Sequence, residues 1–190
     1  AALGGNFGED LFKNRISHKA EHSIEFQALF MAARTRKGPT AKAVPILFSF
    51  PEKIWEMDHP VFNGARVDRF LASLEKTAAE CGRKVRYVAS VDFSHVGARF
   101  GDEEPLTDLK LRIIEKEDRE LMAAVENLDS KLFLSRIREL NPKNRICGFP
   151  PLYALLNLTK AKSSKILDYR QNLEGEMESM VSFASIALYE

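Results

Sequence analysis

Apolar positions at Val85, Tyr87, Ala89 and Val91 interleave with Arg86, Val88 and Ser90, a β-rich run that ends at Asp92. So nearly continuous an apolar stretch predicts a strand buried on both faces. Ala43 to Phe50 carries a second such run, with Pro45 near its start, where the missing N–H does least harm. Between the two, residues 51–64 read as a polar and aromatic loop containing Trp55, His59 and Pro60, and 65–81 as an amphipathic helix. Its inward face is Val67, Phe70, Leu71, Leu74 and Ala78, and Gly82 stops it. A β-helix-β order of this kind predicts a parallel pair with a right-handed crossover.

The same reading places a helix from Glu21 to the Gly38-Pro39 break, its apolar side formed by Ile24, Ala28, Leu29, Met31 and Ala32. Ser23 or His22 stands at its start, with Glu25 in the first turn. Later come a helix over 106–128 with a break near Lys116, one over 130–140 capped by Asp129 or Ser130, and a turn at Asn141 to Asn144. The bend Ile146 to Pro151 opens a helix through Leu152, Leu155, Leu156 and Leu158. Two last strands, 165–169 and 181–189, flank a polar loop at 171–179. No repeat or linker divides the chain, so residues 1–190 read as a single α/β domain.

Composition narrows the function classes. Lys and Arg number 28 against 27 Asp and Glu, a net charge of +1 that gives no basis for a nucleic-acid or acidic-membrane surface. Basic runs such as Arg34 to Lys37 read as solvated helix ends. Two cysteines, Cys81 and Cys147, make no disulfide framework and fit a reducing, cytoplasmic setting. Neither a membrane-length apolar run nor a basic-then-apolar leader pattern occurs in the sequence.

Candidate chemistry gathers where the patterned elements end. Asp92 and His95 follow the central run, at the carboxyl end of a strand, where open α/β sheets bind ligands. Their spacing lets one tight turn bring a carboxylate and an imidazole together for a metal or a proton transfer. The plainer reading is a turn cap at Asp92 and a locally bonded His95. His22 begins a helix and is either a ligand oriented by Glu21 and Glu25 or a solvated end residue. Cys147, before Gly148 and a helix start, is either a small buried hydrophobe or a thiol whose pKa the helix end lowers. Cys81 reads as structural, and His18 and His59 as surface residues. Arg99 and Arg145 lie near enough in sequence to these groups to contact a substrate or anion.

Four segments in order, Glu21-His-Ser-Ile-Glu25, Ser90-Val-Asp-Phe-Ser-His-Val-Gly97, Ile146-Cys-Gly148 and Val181-Ser-Phe-Ala-Ser185, resemble the Memo family. Its microbial members include the AmmeMemoRadiSam system protein B. The resemblance implies a three-layer α/β/α sandwich with a mostly parallel sheet, similar to class III extradiol dioxygenases. It implies a pocket in which His22, Asp92, His95 and Cys147 act as metal ligands or catalytic groups for Fe(II) or copper redox chemistry. Small-molecule or peptide ligands, and AMMECR-type and radical-SAM partner proteins, follow from the same resemblance, as does an alternative role as a non-catalytic phosphopeptide- or small-ligand-binding signalling module. One departure is visible. The family's amino-terminal region, with its additional pocket histidine, has no counterpart here, and Val91 stands where many members carry serine.

Overall fold

The computed structural model describes residues 2–13, 15–35, 42–48, 64–175 and 178–190. Six helices precede or separate three strands: α1 (Ala2–Phe7), α2 (His22–Thr35), α3 (Gly64–Glu80), β1 (His95–Gly97), α4 (Asp108–Glu126), α5 (Ser130–Asn144), α6 (Phe149–Leu158), β2 (Ser163–Glu174) and β3 (Ser179–Tyr189). Short 3-10 turns cover Arg15–Ala20 and Ala98–Phe100. The strands form one antiparallel sheet in the order β1-β3-β2, with His95 opposite Val181 and Ile166 opposite Ile186.

This corrects the expectation of a mostly parallel sheet. Residues 84–94 lie outside any strand, with Phe93 and Ser94 bonded to Ser182 just ahead of the ladder that begins at His95, and 42–48 are likewise outside any strand. Alternation survives, since Val85, Tyr87, Ala89 and Val91 are half-buried while Arg86 and Val88 are exposed. Period-two burial records which side chains face the core, not which backbone supplies the hydrogen bonds. β1 takes its partner from the far end of the chain, and antiparallel pairing follows from that choice. The loop expected at 51–64, with Trp55 and His59, falls outside the described residues up to Gly64, where α3 begins. So do Gly38-Pro39 and the last two residues of the 43–50 run.

Helix starts follow local chemistry. Thr107 caps α4 by accepting from the Lys110 N–H at 3.2 Å, with Asp108 in the first turn. Asp129 caps α5, accepting from the N–H groups of Lys131 and Leu132 at 3.0 and 2.9 Å. Helix α4 runs through Lys116 unbroken, and α5 continues through Pro142 to Asn144, where a turn was expected. Both differences have one cause: tertiary packing overrides local propensity. Leu121, Met122, Phe133 and Ile137 are fully buried, and they join Phe93, Ile146, Phe149 and Leu152 in the main core. A smaller cluster seats Phe7 of α1 against Phe70 of α3, ring centroids 5.3 Å apart and edge-on. Val96, Ile114 and Met180 form a third beneath β1. Helix α2 differs from its pattern: none of its residues is buried, and Phe26, Leu29 and Phe30 are more than half exposed. No described helix is long and apolar enough to cross a membrane.

Candidate functional site

The site forms where the extended segment enters β1 and passes the turn before α6. Phe93 and Ser94 are anchored in the interior, leaving Asp92 and His95 on either side to face outward. Asp92 Oδ2 lies 3.2 Å from His95 Nε2, and Cys147 Sγ lies 3.4 Å from Asp92 Oδ1. One ligand atom from each of Asp92, His95 and Cys147 fits within a span of 4.8 Å, so a carboxylate, an imidazole and a thiol converge.

The imidazole is oriented by main-chain groups. His95 Nδ1 lies 3.1 Å from both the Phe93 and the Arg145 carbonyl oxygens. Carbonyls only accept, so Nδ1 carries a proton and donates, and the variable position is Nε2, facing Asp92. Arg145 offers its carbonyl from a left-handed backbone conformation, φ 49°. Its guanidinium donates to Asp102 Oδ1 at 2.7 Å, and Asp102 Oδ2 accepts from the Gly97 N–H at 2.8 Å. The His95 ring packs edge-on against Phe100, centroids 5.2 Å apart.

Two glycines make these approaches fit. A Cβ on Gly148 would stand 2.5 Å from the Asp92 carbonyl oxygen and 2.6 Å from Val91 Cβ. That absent carbon is what lets the Cys147 turn lie against the Asp92 segment. Gly97 adopts φ 111° and ψ −176°, a conformation left almost wholly to glycine.

Charge follows the geometry. Burial disfavours the charged form of His95, but the hydrogen bond and charge of Asp92 outweigh it and raise the imidazole pKa. Asp92 is lowered, burial again being outweighed by its bond to His95. Cys147 moves against the helix-end expectation. The residue is exposed overall, yet burial of its sulfur and the adjacent Asp92 charge push the thiol up to about 12. Burial of the sulfur first, and then the Asp92 carboxylate beside it, set the direction against what a helix end would do.

Asp102 gives a measurable consequence. Burial would raise its pKa, but the Arg145 guanidinium and the Gly97 N–H lower it overall. A carboxylate lowered on folding stabilises the fold above its unfolded value of about 3.9, and that contribution is lost as pH falls through the folded value. Asp102→Asn is expected to cost about 1–3 kcal/mol at neutral pH. In urea unfolding, the gap from wild type should close as pH drops below about 3.9.

His22 lies outside the three-residue group. It starts α2 with its side chain 75% exposed, 3.9 Å from Glu21. The helix start is nonetheless tied beside the site, because Ser90 Oγ donates to the Ser23 carbonyl at 2.8 Å. Glu21, not Ser23, caps this end by accepting from the Ser23 N–H at 2.9 Å. Cys81 is exposed and donates to the Ala78 carbonyl, His18 is exposed, and His59 falls outside the described residues. Arg99 and Arg145 are held by Glu174 and Asp102. Sequence reasoning missed Asp118, a fully buried carboxylate behind β1. The signal was its place on the Ile114-Asp118-Leu121-Val125 face, where an apolar residue would be expected.

Comparison with known proteins agrees with the motif resemblance. The family described as Memo-like protein matches residues 8–187. A MEMO1 family protein of Aquifex aeolicus is 27% identical over 96% of this chain and 44% of its own length. Those of Methanosarcina barkeri and Pyrococcus horikoshii are 26% and 28% identical, each over 91% of this chain and 57% and 58% of their own lengths. The chain therefore spans about half the length of the curated relatives it matches.

Proposed function

We propose that this chain, which belongs to the Memo-like protein family, holds one iron or copper ion between His95, Asp92 and Cys147 and uses it for redox chemistry on a small molecule. The observation that carries this reading is the locked imidazole. With Nδ1 committed to two carbonyls, Nε2 meets a carboxylate oxygen, and that contact requires a proton or a cation between them. A nitrogen, an oxygen and a sulfur donor within 4.8 Å fit a first-row transition metal.

A bound ion of this kind would supply electron transfer to or from a coordinated substrate and would bring the Cys147 thiol down from its raised pKa. The protein's own residues do the rest. The carbonyls of Phe93 and Arg145 fix the imidazole plane, and His95 Nε2 and the Asp92 carboxylate would hold the ion in their deprotonated forms, the displaced proton passing to solvent. Phe100 packs against the ring and limits water. His22 joins the set as an imidazole at the rim, on a helix start pinned to Ser90, where it can meet substrate. On this reading the described α/β fold belongs to a dioxygenase-like sandwich, as the family resemblance implies. The alternative, a non-catalytic peptide- or small-ligand-binding module, draws on Arg99 and Arg145, and both guanidiniums are already paired with carboxylates.

Elemental analysis of protein purified without oxygen tests the reading. Wild type should hold close to one iron or copper per chain, and His95→Ala should lose at least about nine-tenths of it while keeping its helical circular dichroism. Cys147→Ser should retain an intermediate amount, since an oxygen donor replaces a softer sulfur. Wild type that takes up neither metal after reconstitution would sink the proposal.

A further inference from the structure

The structure assigns Asp118 as a positioning residue for His95, acting through one peptide plane; this rests on the metal-site reading above. Asp118 is fully buried in α4 and receives three hydroxyl hydrogen bonds. Ser94 Oγ donates to Oδ1 at 2.6 Å, and Tyr169 OH and Ser182 Oγ both donate to Oδ2, at 2.8 and 2.5 Å. Three donors from the β1 entry, β2 and β3 thus meet one carboxylate.

The link to the site is geometric. Ser182 Oγ donates its proton to Asp118 and accepts the Ser94 N–H at 2.9 Å. That N–H belongs to the same planar unit as the Phe93 carbonyl, which accepts from His95 Nδ1 at 3.1 Å. One end of the rigid plane is therefore held by the Asp118–Ser182 pair, and the other orients the imidazole. Ser94 Oγ adds a second tether from the same residue to the same carboxylate. Release of Asp118 lets this plane rotate, and the Nδ1 acceptor turns with it.

Stability alone gives a weaker account. Burying a carboxylate costs several kcal/mol unless its partners compensate, and apolar replacement of a buried polar group is often neutral. The network's directional contacts are of greater use to His95 than to the core. Tyr169 supplies the internal control, because it donates to Asp118 from β2, away from the Phe93–Ser94 plane.

The test compares Asp118→Asn with Tyr169→Phe, reading the His95 ring 15N shifts of the metal-free protein and the affinity for cobalt(II). Asn keeps the size but replaces one accepting oxygen with a donor, so it cannot hold all three hydroxyls. Asp118→Asn should move the His95 ring nitrogen shifts away from the wild-type values, the Arg145 carbonyl remaining as the one fixed Nδ1 acceptor, and weaken cobalt about tenfold. Tyr169→Phe should lose stability while the ring shifts stay unchanged and the cobalt affinity stays within about twofold of wild type. If both variants destabilise alike and leave the ring shifts unchanged, Asp118 is structural only and the assignment fails. Should Asp118→Asn not fold, Ser182→Ala removes the acceptor of the Ser94 N–H and must produce the same shift. A wild type that binds no cobalt would count against the metal reading, and the ring shifts would still decide the role of Asp118.

Discussion

Gly97→Ala is expected to remove about 4 kcal/mol or more of the fold's stability. Two costs add at this position. With φ 111° and ψ −176°, Gly97 occupies a region that is essentially closed to other residues, a strain of about 1–3 kcal/mol. The new Cβ would also stand 2.6 Å from Ser179 Cα and closer still to the Glu178 carbonyl oxygen, main-chain atoms at and just before the start of the paired strand. Main chain cannot swing aside as a flexible side chain can, so relief requires β1 to lift from β3. That breaks the pairing of Val96 with Met180 and opens the cluster those two form with Ile114. The combined loss should be about 4 kcal/mol or more, against a typical domain stability of 5–15 kcal/mol. Urea titration followed by circular dichroism gives the measurement. A midpoint within error of wild type would show that β1 does not pack against β3 as closely as described.

Gly148→Ala should act on the site first and on the fold second. Its φ of −74° is open to any residue, so backbone strain plays no part. The obstacle is contact: the methyl would fall 2.5 Å from the Asp92 carbonyl oxygen, and the Cys147 turn must withdraw. Even a shift of one ångström parts Cys147 Sγ from Asp92 Oδ1, now 3.4 Å away. We expect a loss of about 2–3 kcal/mol in stability, as for overpacking elsewhere, and a fall of at least about tenfold in iron or copper affinity. Isothermal titration beside thermal melting separates the two effects. Unchanged metal affinity in a destabilised variant would remove Cys147 from the ligand set.

How far the sequence could be read depended on whether the deciding interaction was local. Gly82 and the apolar stripe from Val67 to Leu74 defined α3 to within a residue at either end, and Pro150 marked the first turn of α6. The β2–β3 hairpin was visible because β-branched alternation flanks a polar turn, although both strands extend further than the pattern suggested. The sheet's direction was not legible. Val85 to Val91 alternates as a strand should, but which backbone a strand joins is fixed by distant pairing, here His95 with Val181. At the site, the spacing of Asp92 and His95 carried their approach. Cys147 was placed with them by the motif resemblance alone, and the close approach it needs, allowed by the missing side chain of Gly148, is a fact of three dimensions. The thiol's raised pKa has the same origin, since the burial of its sulfur and the Asp92 charge beside it depend on other segments.

The pairing of β1 with β3 also governs when the site comes into being. Asp92 and His95 leave the ribosome long before Val181 is made, and at about 5–20 residues per second the wait lasts several seconds. During that interval the Phe93 and Ser94 N–H groups have no partner strand, because both of their acceptors belong to Ser182. Until β3 docks, the Phe93–Ser94 unit that carries the neighbouring Asp92 and His95 therefore lacks its main-chain and side-chain anchors on Ser182. A chain truncated before β3 would retain every proposed ligand and still lack the arrangement that makes them one.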